Sequence, residues 1–400
     1  MSRLLLGVSG GQQLTRIASV VTERSVTRLL DEHGTHLAEI DDDSLHASAG
    51  GDAVATVSTW REVEIELGED VVELLYALGK RLRKAGARRS TSSSKLARAL
   101  PSPRPSIGSG PAKPARRAKR QGGDVVAAYI GEQHRVLLAG DLALRRGDDS
   151  VIHKTRVATR RLRSTLHVFG PLLQADRATA LDSELRWYAA ELGEVRDRQV
   201  LRKRRHKMIA GVDDSLLLGP VQARVDTELT REQTEHWQNL QRDLSSDRYL
   251  ALLADVASWA RQPPTTAKAD QVAVTITKLV ARADRQVARK LRRANATGDA
   301  HLLHAARKAA KRARYAAEAA QPVIGQHAAT RDAKLYQNLQ DLLGEHQDSL
   351  VSADLIRRLG AIAGTTAGEN GFAFGILHER EQRNARASRR TARKIVRRYS

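Results

Sequence analysis

The chain has 400 residues, of which 41% are hydrophobic but only 4% aromatic, and its formal net charge is +21 at pH 7. It contains no cysteine, which excludes disulfides, thiolate catalysis and Cys-ligated metals. The hydrophobic share is sufficient for a core built mainly from Leu, Val and Ala, which suits closely packed helices. The large positive charge predicts a polyanionic partner, such as nucleic acid, polyphosphate or an anionic membrane surface.

No run of 18 apolar residues occurs, so we predict no membrane-spanning helix and no membrane insertion. The apolar start, Met1–Val8, is too short for the core of a secretion signal before the polar residues that follow it. We therefore expect a cytoplasmic protein.

Residues 14–67 have the alternation of apolar and polar residues that is typical of β-strands. Two such segments flank the turn-forming residues 31–34, which predicts a hairpin. The last segment alternates strictly, so that its apolar residues lie on one face and its glutamates on the other. These glutamates are Glu62, Glu64 and Glu66.

A helix is predicted over 69–85, and residues 90–123 are rich in Pro, Ser and Gly, which predicts a flexible linker. We interpret the basic run Arg116–Arg120 as a solvated charge cluster of this linker, with a polyanion-binding tail as the alternative. The composition thus divides the chain into an N-terminal segment, 1–89, the linker, and a C-terminal domain, 124–400.

Helical periodicity replaces the strand signals from Asp124 onward. Residues 147–150, Gly-Asp-Asp-Ser, supply a turn and an N-cap for the helix that follows them. We predict helices at about 151–169, 176–210, 220–243, 246–261, 270–295, 300–320, 328–346, 348–362 and 372–398.

The helix predicted over 151–169 separates its charged and apolar residues onto opposite faces. Its charged face consists of His153, Arg156, Arg160, Arg163 and His167, flanked by Lys154 and Arg161. Like charges three or four residues apart repel one another and weaken an isolated helix. We therefore expect this face to bind an anion.

The same pattern recurs 151 residues later, with His304 in place of His153. The second copy consists of His304, Arg307, Lys308, Lys311, Arg312 and Arg314. Lys311 replaces Arg160, which keeps the charge but loses bidentate geometry. A second motif, Leu-Gly-Glu-x-x-Asp, occurs at 192–197 and returns at 343–348 with the same offset. Two motifs with one offset indicate an internal duplication, with pseudo-repeats at about 124–270 and 271–400.

The paired His-x2-Arg-x3-(Arg/Lys)-Arg-x-Arg helices resemble those of the CHAD family, the conserved-histidine α-helical domain. The resemblance covers residues 124–400. It implies a mainly α fold, built as a duplicated antiparallel helical bundle. It also implies that the domain binds inorganic polyphosphate along a basic surface.

The preceding segment resembles the end of a CYTH domain, the triphosphate tunnel fold, in the strand Trp60–Leu67, the helix after it and Ser94-Lys95-Leu96. That family's N-terminal Glu-x-Glu-x-Lys strand does not occur upstream, so we expect a small β/α remnant equivalent to the C-terminal half of the barrel. Glu62, Glu64 and Glu66 are interpreted as a solvated strand face. The alternative is that Glu62, Glu64 and Arg24 are remnants of a tunnel wall. Half a barrel cannot enclose a metal and a triphosphate, so hydrolysis is expected only if a complete barrel exists upstream.

The side chains that we expect to bind polyphosphate lie on the two basic helices, because guanidinium and ammonium groups match phosphate oxygens. They are His153, Lys154, Arg156, Arg160, Arg161, Arg163, His304, Arg307, Lys308, Lys311, Arg312 and Arg314, with His167, Tyr315, Arg390 and Arg393 in support. The histidines are expected to donate hydrogen bonds to phosphate and to titrate low beside the arginines.

The carboxylates of the second motif are expected to orient arginines or cap helices, with a divalent metal site as the alternative. They are Glu194, Asp197, Glu345 and Asp348. No catalytic nucleophile, phosphate loop or metal-binding helix is recognised, so we expect a binding protein rather than an enzyme, without cofactor or metal. Nucleic acid is the alternative partner, less favoured because scarce aromatics argue against base stacking. An association with polyphosphate granules is left open.

Overall fold

The computed structural model describes residues 2–50, 56–68, 72–92, 94–100, 121–270, 274–297 and 299–399. Within them the chain is mainly helical with a three-stranded sheet near its N-terminus, which confirms the predicted fold class. The chain forms two compact units: Met1–Gln12 with Pro114–Ser400, and Gln13–Lys113. Most of the predicted linker, including Arg116–Arg120, lies outside the described residues.

The strands are β1 (Ala18–Leu30), β2 (His36–Ala49) and β3 (Thr56–Leu67). The helices are α1 (Ser2–Ser9), α2 (Val72–Lys84), α3 (Lys95–Ala99), α4 (Gly122–Arg145), α5 (Ile152–Val168), α6 (Ala175–Ile209), α7 (Val221–Asp243), α8 (Asp247–Arg261), α9 (Val274–Thr297), α10 (Ala300–Ile324), α11 (Gln326–Ala363) and α12 (Phe372–Tyr399). From α5 onward their bounds follow the predicted ones closely, with one exception.

The exception is α11, which runs without interruption through the two helices predicted over 328–346 and 348–362. The predicted break at 347 does not occur, and Gly344, three residues before it, costs a helix interior only about 1 kcal/mol. Packing of α11 against both α10 and α12 outweighs that cost. Helix α1 was not predicted, because eight residues are too few to form a helix alone. It is held by contacts with α4 and α8.

The sheet unit is an antiparallel meander in the order β1-β2-β3. At the predicted hairpin the carboxylate of Asp31 accepts hydrogen bonds from the backbone N–H groups of His33 and Thr35, at 2.8 and 2.7 Å. Gly34 adopts a φ of +80°, which favours glycine at this position. The turn residues thus fix the register between β1 and β2.

One face of the sheet carries a network of paired charges. Asp43 is fully buried and accepts hydrogen bonds from Arg24 and from Lys95, with the Lys95 Nζ at 2.6 Å. The Arg24 bond lowers the pKa of Asp43 to about 2. Lys95 also bonds Glu64 at 3.2 Å and lies 3.7 Å from Glu62. These glutamates therefore balance cations of the same unit instead of facing only solvent.

The helical unit places the two predicted basic helices next to each other. Helix α5 packs against α4, α6 and α10, while α10 packs against α5, α9 and α11. The alanines of α10 opposite its charged face are all buried: Ala306, Ala309, Ala313, Ala316 and Ala317. Their small side chains allow neighbouring helices to approach closely, and the charged faces remain turned away from the core.

Both basic helices begin at equivalent caps. Asp148 accepts a hydrogen bond from the backbone N–H of Ser150 at 2.9 Å, in the 3-10 turn that leads into α5. Asp299, which lies 151 residues later, accepts one from the N–H of His301 at 2.7 Å at the start of α10. The duplication therefore extends to the capping residues, which satisfy backbone donors that a helix leaves open.

Among the residues that the structure describes, no helix is both long and apolar enough to cross a membrane.

Gly140 of α4 offers a test of the packing between α4 and α5. A methyl group at this position would lie 2.3 Å from the hydroxyl oxygen of Thr155, which is buried. We predict that Gly140→Ala lowers the free energy of unfolding by about 1–3 kcal/mol, because overpacking forces the helices apart. Urea denaturation followed by circular dichroism measures this change.

Gly131→Ala is the matched control on the same helix, since its methyl group would lie 3.8 Å from the Cβ of Ala260, an ordinary contact. Alanine has a higher helix propensity than glycine, so this variant should be as stable as wild type or more stable by up to about 1 kcal/mol. Equal stability of the two variants would contradict the close packing at Gly140.

Candidate polyanion-binding site

The charged faces of α5 and α10 border one open cavity of about 950 Å³, which we call the central groove. It is lined by Arg156, Arg160, Arg163, Ser164 and His167 of α5, by Arg186, Asp197, Val200, Leu201 and Arg204 of α6, by His304, Arg307, Lys308, Lys311, Arg312 and Tyr315 of α10, and by Asp348 and Val351 of α11. The described residues of the lining thus include nine arginines or lysines and two aspartates. Such an excess of one charge raises the local concentration of anions.

An arginine packs against a helical glycine at two equivalent places in the groove. A Cβ on Gly193 would lie 3.1 Å from a terminal nitrogen of Arg156, and one on Gly344 would lie 3.0 Å from that of Arg307. Arg156 also donates to Asp197, four residues beyond Gly193, at 2.6 Å. The Leu-Gly-Glu-x-x-Asp motif therefore supplies space for the guanidinium and, in the first copy, a carboxylate that orients it.

The other motif carboxylates also lie close to arginines. Glu345 accepts a hydrogen bond from Arg204 at 2.8 Å, and Glu194 pairs with Arg198. Burial raises the pKa of Asp348, while the charge of Arg307 opposes this shift. Within the described part of the chain, no group of three or more histidines and carboxylates is arranged to hold a metal ion.

Arg160 and Lys311, which occupy equivalent positions in the two copies, line the groove without a carboxylate partner among the described residues. Burial and the neighbouring charge of Arg156 lower the pKa of Arg160. Burial, followed by the charges of Arg160 and Arg307, lowers the pKa of Lys311 to about 7. Burial and the surrounding arginines thus disfavour the charged forms of both residues in the absence of an anion.

The pKa values of His153 and His304 are both lowered, which is the direction expected from the sequence. Burial lowers the pKa of His153, and the charges of Arg196, Arg160 and Arg156 add to this. Burial also lowers the pKa of His304, with Lys308 as the next cause. Their positions differ, however, because His304 lines the central groove whereas His153 does not.

In the first copy Asp182, which the sequence analysis did not identify, is an acidic anchor for two residues of the groove. The carboxylate of Asp182, on α6, accepts a hydrogen bond from the Nε of Arg163 at 2.8 Å, and His167 lies 3.4 Å away. Burial opposes ionisation, but the bonds from His167 and Arg163 hold the pKa of Asp182 below its usual value. The anchor fixes these two groove residues, and Arg186, four residues after Asp182, could have indicated it.

The second copy differs because Glu318 stands at the position equivalent to His167. Its carboxylate pairs with Arg161 and with Arg314, each at 2.9 Å. The guanidinium groups of these two arginines lie 5.7 and 5.5 Å from the ring centre of Tyr315. Neither arginine lines the groove. Glu318 thus holds both of them in a local ion-pair cluster.

Arg204 of α6 is a further groove residue that the sequence did not indicate. Its guanidinium donates to Glu381 of α12 at 2.6 and 2.7 Å and to Ser349 of α11 at 2.8 Å. The bond to Glu381 raises the pKa of Arg204. Its partners lie 141 to 177 residues away in sequence, so no local pattern could have revealed them.

Two further predicted contacts, Lys154 and Arg390, do not line the central groove. Lys154 is exposed on α5 and Arg390 is exposed on α12. The side chain of Arg393 lies outside the described residues. Their contact with phosphate stays a prediction.

The sequence matches the CHAD domain family over residues 128–357. It is 32% identical over 400 residues to the uncharacterized protein Rv2226 of Mycobacterium tuberculosis, and the match covers 94% of this chain and 74% of that protein. Among solved structures, PptA from Streptomyces chartreusis is similar with a TM-score of 0.57 at 21% identity, covering 69% of this chain and 99% of PptA. The CHAD domain from the plant Ricinus communis is similar with a TM-score of 0.51 at 24% identity, covering 68% and 93%. At these identities the structural likenesses concern the fold alone.

The depressed pKa of Lys311 predicts a dependence of stability on pH. Between its folded value of about 7 and the ordinary 10.5, the unfolded chain binds a proton that the folded protein does not. The free energy of unfolding should therefore rise as pH rises through this window. We predict that Lys311→Met is more stable than wild type near pH 7 by at least about 1 kcal/mol, since one pKa unit corresponds to about 1.4 kcal/mol.

This gap should shrink as pH approaches the ordinary 10.5, because Lys311 is then neutral in the folded and the unfolded protein alike. Urea denaturation at a series of pH values measures it. Lys154→Met removes an exposed lysine from α5 and should show no such trend. If the free energies of unfolding of Lys311→Met and wild type differed by the same amount at every pH, the pKa of Lys311 would not be lowered in the folded protein.

Proposed function

This chain belongs to the CHAD family, and from that premise we propose that it binds inorganic polyphosphate in the central groove between α5 and α10. The observation that carries the proposal is the pair of partly buried cations without carboxylate partners, Arg160 and Lys311. An anion in the groove would relieve their repulsion and restore the charge of Lys311. A phosphate chain offers a negative charge on every unit and oxygens that accept from both guanidinium and ammonium groups.

The fixed arginines support the same proposal. Arg156, Arg163 and Arg204 are already held by carboxylates or by packing, so little side-chain freedom is lost when a ligand arrives. Lys308 is exposed and unpaired within the described residues, and it can adapt to the ligand. The groove thus combines arginines of fixed orientation with a lysine that can adapt, and both can contact the repeating units of a polyanion.

Nucleic acid is the alternative ligand, because it too is a phosphate chain. Binding of single strands usually relies on aromatic side chains on which bases stack. Tyr315 is the one aromatic residue among the described residues of the groove lining, and it is buried between Arg161 and Arg314. This arrangement favours a ligand without bases.

We propose binding without catalysis. The carboxylate of Asp197 is engaged by Arg156, and Glu62 and Glu64 of the sheet unit lie beside Lys95. The CYTH resemblance of the sheet unit, and with it triphosphate hydrolysis by a complete barrel, stays an alternative. A cytoplasmic location, at polyphosphate granules or free of them, stays an expectation.

Charge reversal at Arg160 or at Lys311 tests the proposed ligand and the use of both copies. Each variant, Arg160→Glu and Lys311→Glu, should weaken the binding of long-chain polyphosphate by about tenfold or more, because a charged hydrogen bond contributes about 1.5–3 kcal/mol. Log affinity should also fall linearly with log salt, by roughly 0.7 per contact, as for single-stranded nucleic acids. Isothermal titration calorimetry at several salt concentrations measures both.

Arg177→Glu is the matched control, since Arg177 is exposed at the start of α6, makes no ion pair within the described chain and does not line the groove. It should change affinity little. Single-stranded DNA should compete poorly with polyphosphate. Equal losses in all three variants, or displacement by DNA at the same phosphate concentration, would contradict the proposal.

The pH dependence of binding should separate Lys311 from His304. Binding raises the pKa of each group. For Lys311, affinity should strengthen as pH falls toward about 7 and level off below it, whereas His304, whose pKa is lowered from the ordinary 6.5, should strengthen affinity at lower pH. Lys311→Arg keeps a permanent charge and should flatten the profile above about pH 7. His304→Ala should flatten it only at lower pH. Identical profiles for wild type and Lys311→Arg would show that Lys311 does not take up a proton on binding.

A further inference from the structure

A second cavity, of about 310 Å³, opens among α5, α9 and α10, and we call it the side groove. Its polar lining residues are His167, Arg282, Gln286 and Arg312. His167 and Arg312 also line the central groove. The two cavities therefore adjoin at these side chains.

The side groove is cationic, with two arginines and a histidine in its lining. No carboxylate is among its described lining residues. Neither Arg282 nor Arg312 forms an ion pair with a carboxylate in the part of the chain that the structure describes. Gln286 adds an amide that can donate hydrogen bonds. Guanidinium groups and an amide donor without acceptors of their own are suited to phosphate oxygens.

Lys290 extends this set of donors along α9. It lies one helical turn beyond Gln286 and two turns beyond Arg282, so the three residues share one face of the helix. Burial, together with the charges of Arg312, Arg289 and Lys308, lowers the pKa of Lys290, which places it in the field of two central-groove residues. With a rise of 1.5 Å per residue, the face from Arg282 to Lys290 is about 12 Å long.

We propose that the side groove and Lys290 form a second binding segment, along which a phosphate chain continues after it leaves the central groove at His167 and Arg312. The inference rests on the proposed function and narrows its ligand class to long, unbranched phosphate chains. A triphosphate can occupy the central groove alone. A long chain gains the additional contacts on α9.

The experiment compares tripolyphosphate with long-chain polyphosphate on the full chain. The double variant Arg282→Gln, Lys290→Gln removes the two charges from the proposed segment. We expect it to bind the long chain about tenfold more weakly, and its salt slope to be smaller by about 1.4, from two lost contacts of roughly 0.7 each. Its affinity for tripolyphosphate should equal that of wild type.

The matched control is Arg285→Gln, Arg292→Gln, which removes two exposed charges from the same helix but from positions that line neither groove. It should bind both ligands as wild type does. An unchanged long-chain affinity in Arg282→Gln, Lys290→Gln overturns the inference, as does an equal loss in the control. An equal loss for both ligands assigns the residues to the central groove. If wild type binds neither ligand, the proposed function itself fails.

Discussion

The feature on which the rest of the structure depends is the mutual repulsion of like charges that α5 and α10 bring into one groove. Isolated helices with these sequences would be weakened by their own arginines. In the folded protein the opposite faces pack through apolar side chains, which on α10 are almost all alanine. Asp197, Asp182 and Glu381 then neutralise arginines at the edges. Arg160 and Lys311 line the groove without a carboxylate partner in the described part of the chain, so they are the cations that an anion would stabilise most.

The duplication repeats the scaffold more faithfully than the chemistry. Caps, glycines and the arginines packed on them recur at equivalent positions. Other residues do not recur: the first copy has His167 and Asp182 at positions where the second copy has Glu318 and Ala333. An anchor on the neighbouring helix holds Arg163 in the groove, whereas the acid within α10 draws Arg314 away from it. The first repeat therefore contributes more basic residues to the lining of the central groove than the second.

Much of this arrangement could be predicted from sequence because it is periodic. The spacing of arginines predicted which face of each helix is charged, and the offset of 151 residues predicted that two such helices belong together. Distant partners could not be predicted: Arg204 pairs with Glu381 only because α6 and α12 meet in the fold. The low pKa of Lys311 was equally hidden, since it arises from burial and from arginines of both copies. The CYTH-like character of residues 1–89 remains a prediction, although a three-stranded sheet is present there.

The contacts between the copies are reciprocal. Arg160 of the first lies near Arg307 of the second, and Lys311 of the second lies near Arg156 of the first. Such exchange of equivalent partners is expected of two copies that are related by an approximate twofold axis. A chain that passes along such a groove meets a cation at equivalent positions, Arg160 and Lys311, whichever end enters first. Polyphosphate consists of identical units and has no direction, whereas a nucleic acid strand runs from a 5′ to a 3′ end. If the groove binds polyphosphate as proposed, these reciprocal contacts suit a polymer without polarity.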